Sequence, residues 1–285
     1  MRLIPLLMLM LLAGCAAKQM PVREQSAPQQ PAPTLDSLSP EYLYLAAQDA
    51  MQQGQHTLAI QLLEALLERD AQAVEPRMQL AELLLRLGRV RDAERHLLRL
   101  RAANHLNERQ RRDVRLMYIR ALAARGQWDA ALNELVLLQQ QVPELEDAYA
   151  LEARVHVARG HLALALQAVD DGLRRIPASV RLRMLKARLL IERKRWRDAA
   201  AELDRVRRLA PDNEQVVLLQ GRVALARKQP ARAERMYRAY IADHPQAEAV
   251  VQALARLLLG QGRTGEAIRL YEQLSSARGG DPAVR

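Results

Sequence analysis

Apolar and polar residues follow a helical period through most of the chain. Alanines recur at intervals of 34 residues, except for one interval of 38 residues. Four residues after each alanine comes a large apolar side chain, which a helix places on the same face. The chain is 49% hydrophobic, so the pattern predicts a series of amphipathic helices. The alanines are Ala59, Ala93, Ala131, Ala165, Ala199, Ala233 and Ala267.

Each alanine is flanked by residues that begin and end helices. A glycine or lysine lies five positions before it, and a proline follows twelve positions after it in four copies. Each unit therefore predicts a helix, a turn, a second helix and a stop. A small residue lies twelve positions before the alanine in six copies, with Ile119 as the exception, which predicts that the two helices cross closely. The turn residues are Gly54, Gly88, Gly126, Gly160, Lys194, Lys228 and Gly262, and the prolines are Pro143, Pro177, Pro211 and Pro245.

A repeat of this length and composition resembles the tetratricopeptide repeat (TPR). The resemblance implies an all-α solenoid of about seven helical hairpins, wound as a right-handed superhelix. The four additional residues 108–111 predict a longer first helix in the third repeat, capped by Asn107. A coiled coil is the structural alternative, which the regular glycine and proline positions disfavour. The predicted repeats are 40–73, 74–107, 112–145, 146–179, 180–213, 214–247 and 248–281.

The sequence departs from the TPR pattern inside the repeats and at their end. Polar residues replace an expected aromatic residue or leucine, which predicts less tight packing in the middle repeats. Few helix-forming residues follow Leu274, so Ile268, Tyr271 and Leu274 are expected to be partly exposed. This end is either frayed or an interface with a partner or a second copy. The polar replacements are Arg77, Arg115, Arg183, Glu152, Lys186 and Gln220.

Residues 1–14 predict a secretory signal, with an apolar run too short to span a membrane. The following tetrad, Leu12-Ala13-Gly14-Cys15, resembles a bacterial lipobox. This resemblance implies cleavage before Cys15, the one cysteine of the chain, and lipid attachment to it. An ordinary signal cut after Ala16 or Ala17 is the alternative. The absence of aspartate at position 16 favours the outer membrane, with the protein facing the periplasm.

The flanking segments and the charge complete this description. Residues 15–39 contain the lipidated cysteine and a proline-rich stretch, which predicts an extended linker, and residues 282–285 form a short tail.

The net charge is +10 and is carried mostly by arginine. The export signal argues against nucleic acid as a partner. Anionic headgroups, anionic glycans or acidic protein segments are the predicted alternatives.

A second series consists of arginines spaced by 34 residues, one in each of repeats three to seven. The TPR resemblance implies that this position faces the concave groove and contacts the backbone or carboxylates of a ligand. Arg188 has Glu192 at helical spacing, whereas the other four have no carboxylate at these offsets. The series therefore predicts a groove for an anionic, partly apolar segment, with surface filling as the alternative. The arginine series is Arg120, Arg154, Arg188, Arg222 and Arg256.

The sequence contains no recognisable catalytic chemistry. No phosphate-binding loop, nucleophile motif or metal-binding motif is present, so no enzyme activity, cofactor or metal is predicted. His156 falls at a core position of the repeat, which predicts a buried neutral histidine rather than a ligand.

The predicted function is a membrane-anchored periplasmic scaffold for protein–protein interactions. The order of lipobox, proline-rich linker and TPR repeats resembles that of lipoproteins that help to assemble type IV or tight-adherence (Flp) pili and their secretins. An adaptor for peptidoglycan hydrolases or proteases is one alternative. An export factor that binds an anionic polysaccharide is another.

Overall fold

The computed structural model describes residues 35–279, and this part of the chain is all-α. A short 3-10 helix at Leu35–Ser37 precedes fourteen α-helices in the described residues. The predicted signal, Cys15, residues 15–34 and the predicted tail lie outside them. The helices are α1 (Pro40–Gln52), α2 (His56–Arg69), α3 (Val74–Arg86), α4 (Val90–Ala102), α5 (Glu108–Ala124), α6 (Trp128–Gln141), α7 (Glu146–Ala158), α8 (Leu162–Arg175), α9 (Val180–Glu192), α10 (Trp196–Leu209), α11 (Glu214–Ala226), α12 (Pro230–Asp243), α13 (Glu248–Gly260) and α14 (Thr264–Gly279).

The helices pack in chain order as seven hairpins, from α1 with α2 to α13 with α14. Each second helix also contacts the first helix of the next hairpin. First helices contact one another too, as α3 does with α5 and α5 with α7. A hairpin therefore buries its apolar faces against its neighbours, as a solenoid requires. The predicted all-α fold of stacked helical hairpins is confirmed.

The third hairpin has the longer first helix that the sequence predicted. Helix α5 has 17 residues, whereas α3 has 13. Asn107 caps it: its side-chain oxygen accepts a hydrogen bond from the backbone N–H of Gln110 at 2.9 Å. The side chain of Gln110 accepts one from the backbone N–H of Asn107 at 3.0 Å. This reciprocal capping box fixes where the helix begins.

The turn inside each hairpin depends on one residue in the left-handed conformation. The five predicted glycines have φ between 72° and 78°, and Lys194 and Lys228 have φ of 56° and 58°. In the first hairpin, the N–H of Gln55 donates to the carbonyl of Ala50 at 2.8 Å. This bond is typical of a Schellman motif, which ends a helix and reverses the chain. The two lysines hold the same conformation at a cost of about 1–2 kcal/mol each.

Small residues occupy the crossing points between paired helices, except that the first helix of the third hairpin has the fully buried Ile119 there. Each of the seven recurring alanines is at most 2% exposed. In the sixth hairpin the crossing residue is Gly221 rather than alanine, and the ring of Tyr237 lies against it. The corresponding pair in the fifth hairpin is Ala187 and Leu203, both fully buried. A smaller residue on one helix thus accommodates a larger one on the other.

Three of the polar replacements, Arg115, Arg183 and Lys186, are held by carboxylates on the second helix of the same hairpin. Glu202 on α10 is 4% exposed and contacts Arg183 at 3.0 Å, Lys186 at 3.1 Å and Arg205 at 2.8 Å. In the third hairpin the Nε of Arg115 lies 2.8 Å from the carboxylate of Glu134. Ion pairs therefore take the place of apolar contacts where the sequence predicted less tight packing.

The last hairpin leaves part of its apolar face exposed. Ile268 is 53% exposed and Tyr271 is 44% exposed, whereas the equivalent Tyr237 of the preceding hairpin is 3% exposed. The prediction for Leu274 is wrong, because this residue is 6% exposed. Helix α14 continues to Gly279 and packs on α13.

Substitution Gly221→Ala should destabilise the array by about 1–3 kcal/mol, because the added methyl group would collide with the ring of Tyr237. Gly260→Ala is the matched control: its methyl group meets no atom within 4 Å, so we expect no loss of stability. Urea unfolding followed by circular dichroism measures both. Adding Tyr237→Leu to Gly221→Ala should recover part of the loss, since alanine and leucine already pair in the fifth hairpin. Equal stabilities of the two alanine variants would contradict the packing argument.

Candidate functional site

A groove runs along the concave face formed by the first helices of the hairpins. Residues from α1, α3, α5, α7 and α9 line it, and its volume is about 440 Å³. Because these helices contact one another across successive hairpins, each contributes one strip of the same surface. The lining residues are Met51, Glu75, Met78, Gln79, Glu82, Arg86, Asp113, Leu116, Met117, Arg120, Asp147, Leu151, Arg154 and Arg181.

The apolar part of the groove consists of methionine and leucine. Met51, Met78 and Met117 come from three successive hairpins, and Leu116 and Leu151 lie beside them. Met117 is 6% exposed and Leu151 is 9% exposed, so their side chains form a floor rather than a protruding patch. Methionine is flexible and polarisable, which lets such a surface adapt to apolar side chains of different shape.

The rim of the groove carries charges of both signs. Four arginines line it, together with four carboxylates that the sequence analysis did not assign to it. Arg181 pairs with Asp147 at 2.5 Å, and Arg120 pairs with Glu82. The groove at repeats two to four therefore carries charges of both signs. The four carboxylates are Glu75, Glu82, Asp113 and Asp147.

The structure brings two of the five predicted arginines into this groove, Arg120 and Arg154. Arg188, Arg222 and Arg256 occupy the equivalent positions of later hairpins, where they are exposed and do not line the 440 Å³ groove. Their spacing continues the row along α9, α11 and α13. The groove thus coincides with the beginning of the arginine series.

The arginines differ in their partners. Arg120 has no carboxylate at helical spacing, but it pairs with Glu82 of the preceding hairpin, 38 residues earlier. Arg188 donates to Gln215 of the next hairpin at 2.6 Å rather than to its helical neighbour Glu192.

Three further arginines have weaker contacts or none. Arg256 donates to Gln252 at 3.3 Å. Within residues 35–279, Arg154 and Arg222 form no hydrogen bond or ion pair. Arg154 is therefore a free guanidinium group beside the methionine floor, available to a carboxylate or backbone carbonyl of a ligand.

No cluster of three potential metal ligands occurs in residues 35–279, and no helix there has the length and apolarity needed to cross a membrane. His156 is largely buried, its side chain being 11% exposed. Burial lowers the pKa of its imidazole, and the nearby carboxylate of Glu152 opposes this shift. The predicted burial of His156 is confirmed.

Comparison with known families identifies the repeats. The tetratricopeptide repeat profile matches residues 50–112, 156–223 and 224–285, which together make up more than half of the chain. The chain belongs to the tetratricopeptide repeat family. TPR arrays are scaffolds for protein–protein interaction. No curated protein sequence matched it.

Solved structures show the same fold at low sequence identity. A TPR protein from Parabacteroides merdae is 16% identical, with a TM-score of 0.53, over 86% of this chain and 95% of that one. The C-terminal part of a TPR protein from Cytophaga hutchinsonii is 14% identical, with a TM-score of 0.55, over 84% and 97%. Pseudomonas aeruginosa pilF is 18% identical, with a TM-score of 0.50, over 72% and 92%. At these low sequence identities, the similarity to the three structures concerns the fold alone.

The stability of two variants distinguishes an arginine of the groove, Arg154, from an arginine that supports the fold, Arg183. Arg154→Gln should change the free energy of unfolding by less than about 0.5 kcal/mol, because the side chain is exposed and has no partner among the described residues. Arg183→Gln should cost about 1–3 kcal/mol, because Arg183 bonds both Glu202 and the carbonyl of Pro177. Urea unfolding of the two variants compares them directly. A large loss for Arg154→Gln would assign Arg154 to the fold rather than to the groove.

Proposed function

We propose that this TPR protein is a lipid-anchored periplasmic scaffold that holds a segment of an envelope protein in its concave groove. In this role it supports the assembly of an envelope machine, such as a type IV or tight-adherence pilus or its secretin. The observation that carries the proposal is the free guanidinium of Arg154 beside a methionine-lined floor. A groove with these properties favours a protein segment over a small polar ligand.

The groove also defines the chemistry of the segment. Apolar side chains would pack on Met78 and Met117, and a carboxylate would meet Arg154. Since Glu75 and Asp113 lie on the same rim, a uniformly acidic segment would be repelled there. The favoured ligand is therefore an amphipathic segment that carries one or a few carboxylates among apolar residues and has a basic residue for the acidic side.

The envelope location is supported by the N-terminal sequence. The lipobox-like Leu12–Cys15 and the proline-rich residues up to position 39 are what a tethered lipoprotein would have, and stable anchoring would come from more than one acyl chain. The assignment to pilus assembly depends on this plan of signal, linker and repeats. The fold likeness to pilF agrees with this assignment, although at 18% identity it concerns the fold alone.

A second candidate function is binding of an anionic polysaccharide, favoured by the exposed Arg188, Arg222 and Arg256. Such binding would depend on many weak ionic contacts and would weaken steeply as the salt concentration increases. Docking of a protein segment on the apolar floor would depend less on salt. The salt dependence of binding therefore distinguishes the two candidates.

Photo-crosslinking in cells tests the groove. A photoreactive residue replaces Met78 in the groove or, as the matched control, the 48% exposed Leu98 on helix α4. We expect a discrete protein adduct from position 78 and none of the same mass from position 98. Adding Arg154→Glu should remove that adduct, because it reverses the free charge. The same adduct from position 98, or one that survives Arg154→Glu, would argue against the groove as the working surface.

Cys15→Ser tests the anchor. If Cys15 is acylated, the wild-type protein will incorporate labelled palmitate and fractionate with the membrane, and the variant will do neither. Cys15 is the single cysteine, so no other thiol can carry the label. Ala16→Ser is the control with an intact cysteine. Palmitate incorporation by the Cys15→Ser variant would show that the label is attached elsewhere than at the Cys15 thiol and would contradict the proposed anchor.

A further inference from the structure

Two positions of each hairpin, nineteen residues apart, are chemically matched. In the third and fifth hairpins an arginine on the first helix meets a glutamate on the second: Arg115 with Glu134 at 2.8 Å, and Arg183 with Glu202 at 3.0 Å. In four other hairpins both positions are apolar. The apolar pairs are Leu43 and Leu62, Tyr149 and Ala168, Val217 and Met236, and Val251 and Leu270.

The second hairpin breaks this rule. Its arginine is Arg77, and the position of the glutamate holds His96. Arg77 is 4% exposed and forms no ion pair with any carboxylate of residues 35–279. One of its terminal nitrogens, Nη2, donates to the carbonyl of Ala71 at 2.7 Å. The other, Nη1, is buried without a hydrogen-bond partner, as is Nδ1 of His96.

The surroundings of Arg77 do not compensate its charge. Burial and the charge of Arg99 lower the pKa of Arg77, which Asp70 opposes only in part. The side chain of Asp70 instead accepts the backbone N–H of Gln72 at 2.9 Å. Burial and the charges of Arg77 and Arg99 lower the pKa of His96 to about 4, so His96 is neutral at pH 7. A buried cation without a partner destabilises a fold, and an external anion would relieve this.

A cavity of about 540 Å³ lies beside Arg77, between the N-terminal end of α3 and the C-terminal end of α4. Arg77, Arg99 and His105 line it, together with Val74, the first residue of α3. The N-terminus of α3 has no side-chain cap, so its free N–H groups add to the positive potential. We call this space the Arg77 cavity. Arg77 is not among the residues that line the concave groove.

We propose that the Arg77 cavity binds a carboxylate supplied from outside this hairpin, which compensates the charge of Arg77 as Glu134 and Glu202 compensate Arg115 and Arg183 in the third and fifth hairpins. The carboxylate accepts hydrogen bonds from the guanidinium of Arg77, and Arg99 adds its charge. The source is either a free organic acid or the C-terminal carboxylate of a peptide, which have the same chemistry. This site is independent of the partner that the concave groove holds.

His96→Glu provides the direct test, since it restores the arginine–glutamate pair of the other hairpins. Thermal unfolding of the full chain is measured in sodium acetate and in sodium chloride of equal ionic strength. We expect acetate to raise the unfolding midpoint of the wild type by about 2–4 °C more than chloride does. His96→Glu should raise the midpoint without acetate and lose the additional effect of acetate.

Two further variants make the test specific. Arg77→Leu copies Leu43 of the first hairpin and should also lose the response to acetate, because it removes the buried cation. Arg91→Gln removes an exposed arginine of the same helix α4 and should respond like the wild type, which controls for net charge and for general salt effects. If all four proteins respond equally to acetate, or if His96→Glu lowers the midpoint, the proposal is wrong.

The source of the carboxylate is resolved with two peptides, acetyl-Ala-Ala with a free C-terminus and its C-terminal amide. Binding of the free acid at least about tenfold tighter than acetate, with no binding of the amide, identifies a peptide C-terminus. Equal binding of the free acid and acetate identifies a free organic acid. Absence of binding by both carboxylates in calorimetry overturns the proposal.

Discussion

The close crossing of paired helices is the constraint on which the whole solenoid depends. An alanine or glycine at the crossing lets the two backbones approach, and a bulky side chain one turn away fills the adjoining layer. The pair Gly221 and Tyr237 shows how the two sizes compensate each other, since a tyrosine ring lies against the smallest crossing residue. Once the crossing is fixed, each hairpin has a shape that stacks on the next, and the first helices fall in a row along one face.

Charge inside the array follows a rule that the crossing imposes. The first and second helices of a hairpin are so close that a side chain on one must match its neighbour on the other. Apolar residues meet apolar residues, and the arginines Arg115 and Arg183 meet the glutamates Glu134 and Glu202. A buried arginine is tolerated where a carboxylate is nearby. The second hairpin lacks this carboxylate, so a polar packing position there acquires the character of a binding site.

The row of first helices gives the concave face both apolar side chains and charges of both signs. Methionines from three hairpins supply a floor that adapts in shape, and the charges above them come from different repeats. Glu82 neutralises Arg120, whereas Arg154, one hairpin further, has no partner in the described part of the chain. A partner that binds here is therefore selected at a few positions by charge and elsewhere by apolar contact, which suits a scaffold that holds a protein segment.

The sequence by itself determined the repeats, their turns and the cap of α5. These features depend on residues a few positions apart, such as Asn107 and Gln110, whose geometry the helix period fixes. It also gave the common position of Arg120 and Arg154, because equal spacing places them on equivalent faces. The lipid anchor at Cys15 is a prediction from sequence that the described residues do not include.

The tertiary structure decided which charges meet. Glu82 pairs with Arg120 across 38 residues, and Arg115 pairs with Glu134 across 19 residues. Neither separation is a helical spacing, so local periodicity gives no sign of them. The same holds for the missing partner of Arg77 and for the mixed charge of the groove. These contacts depend on how helices pack within a hairpin and between successive hairpins, which sets the distances between side chains that are far apart in the chain.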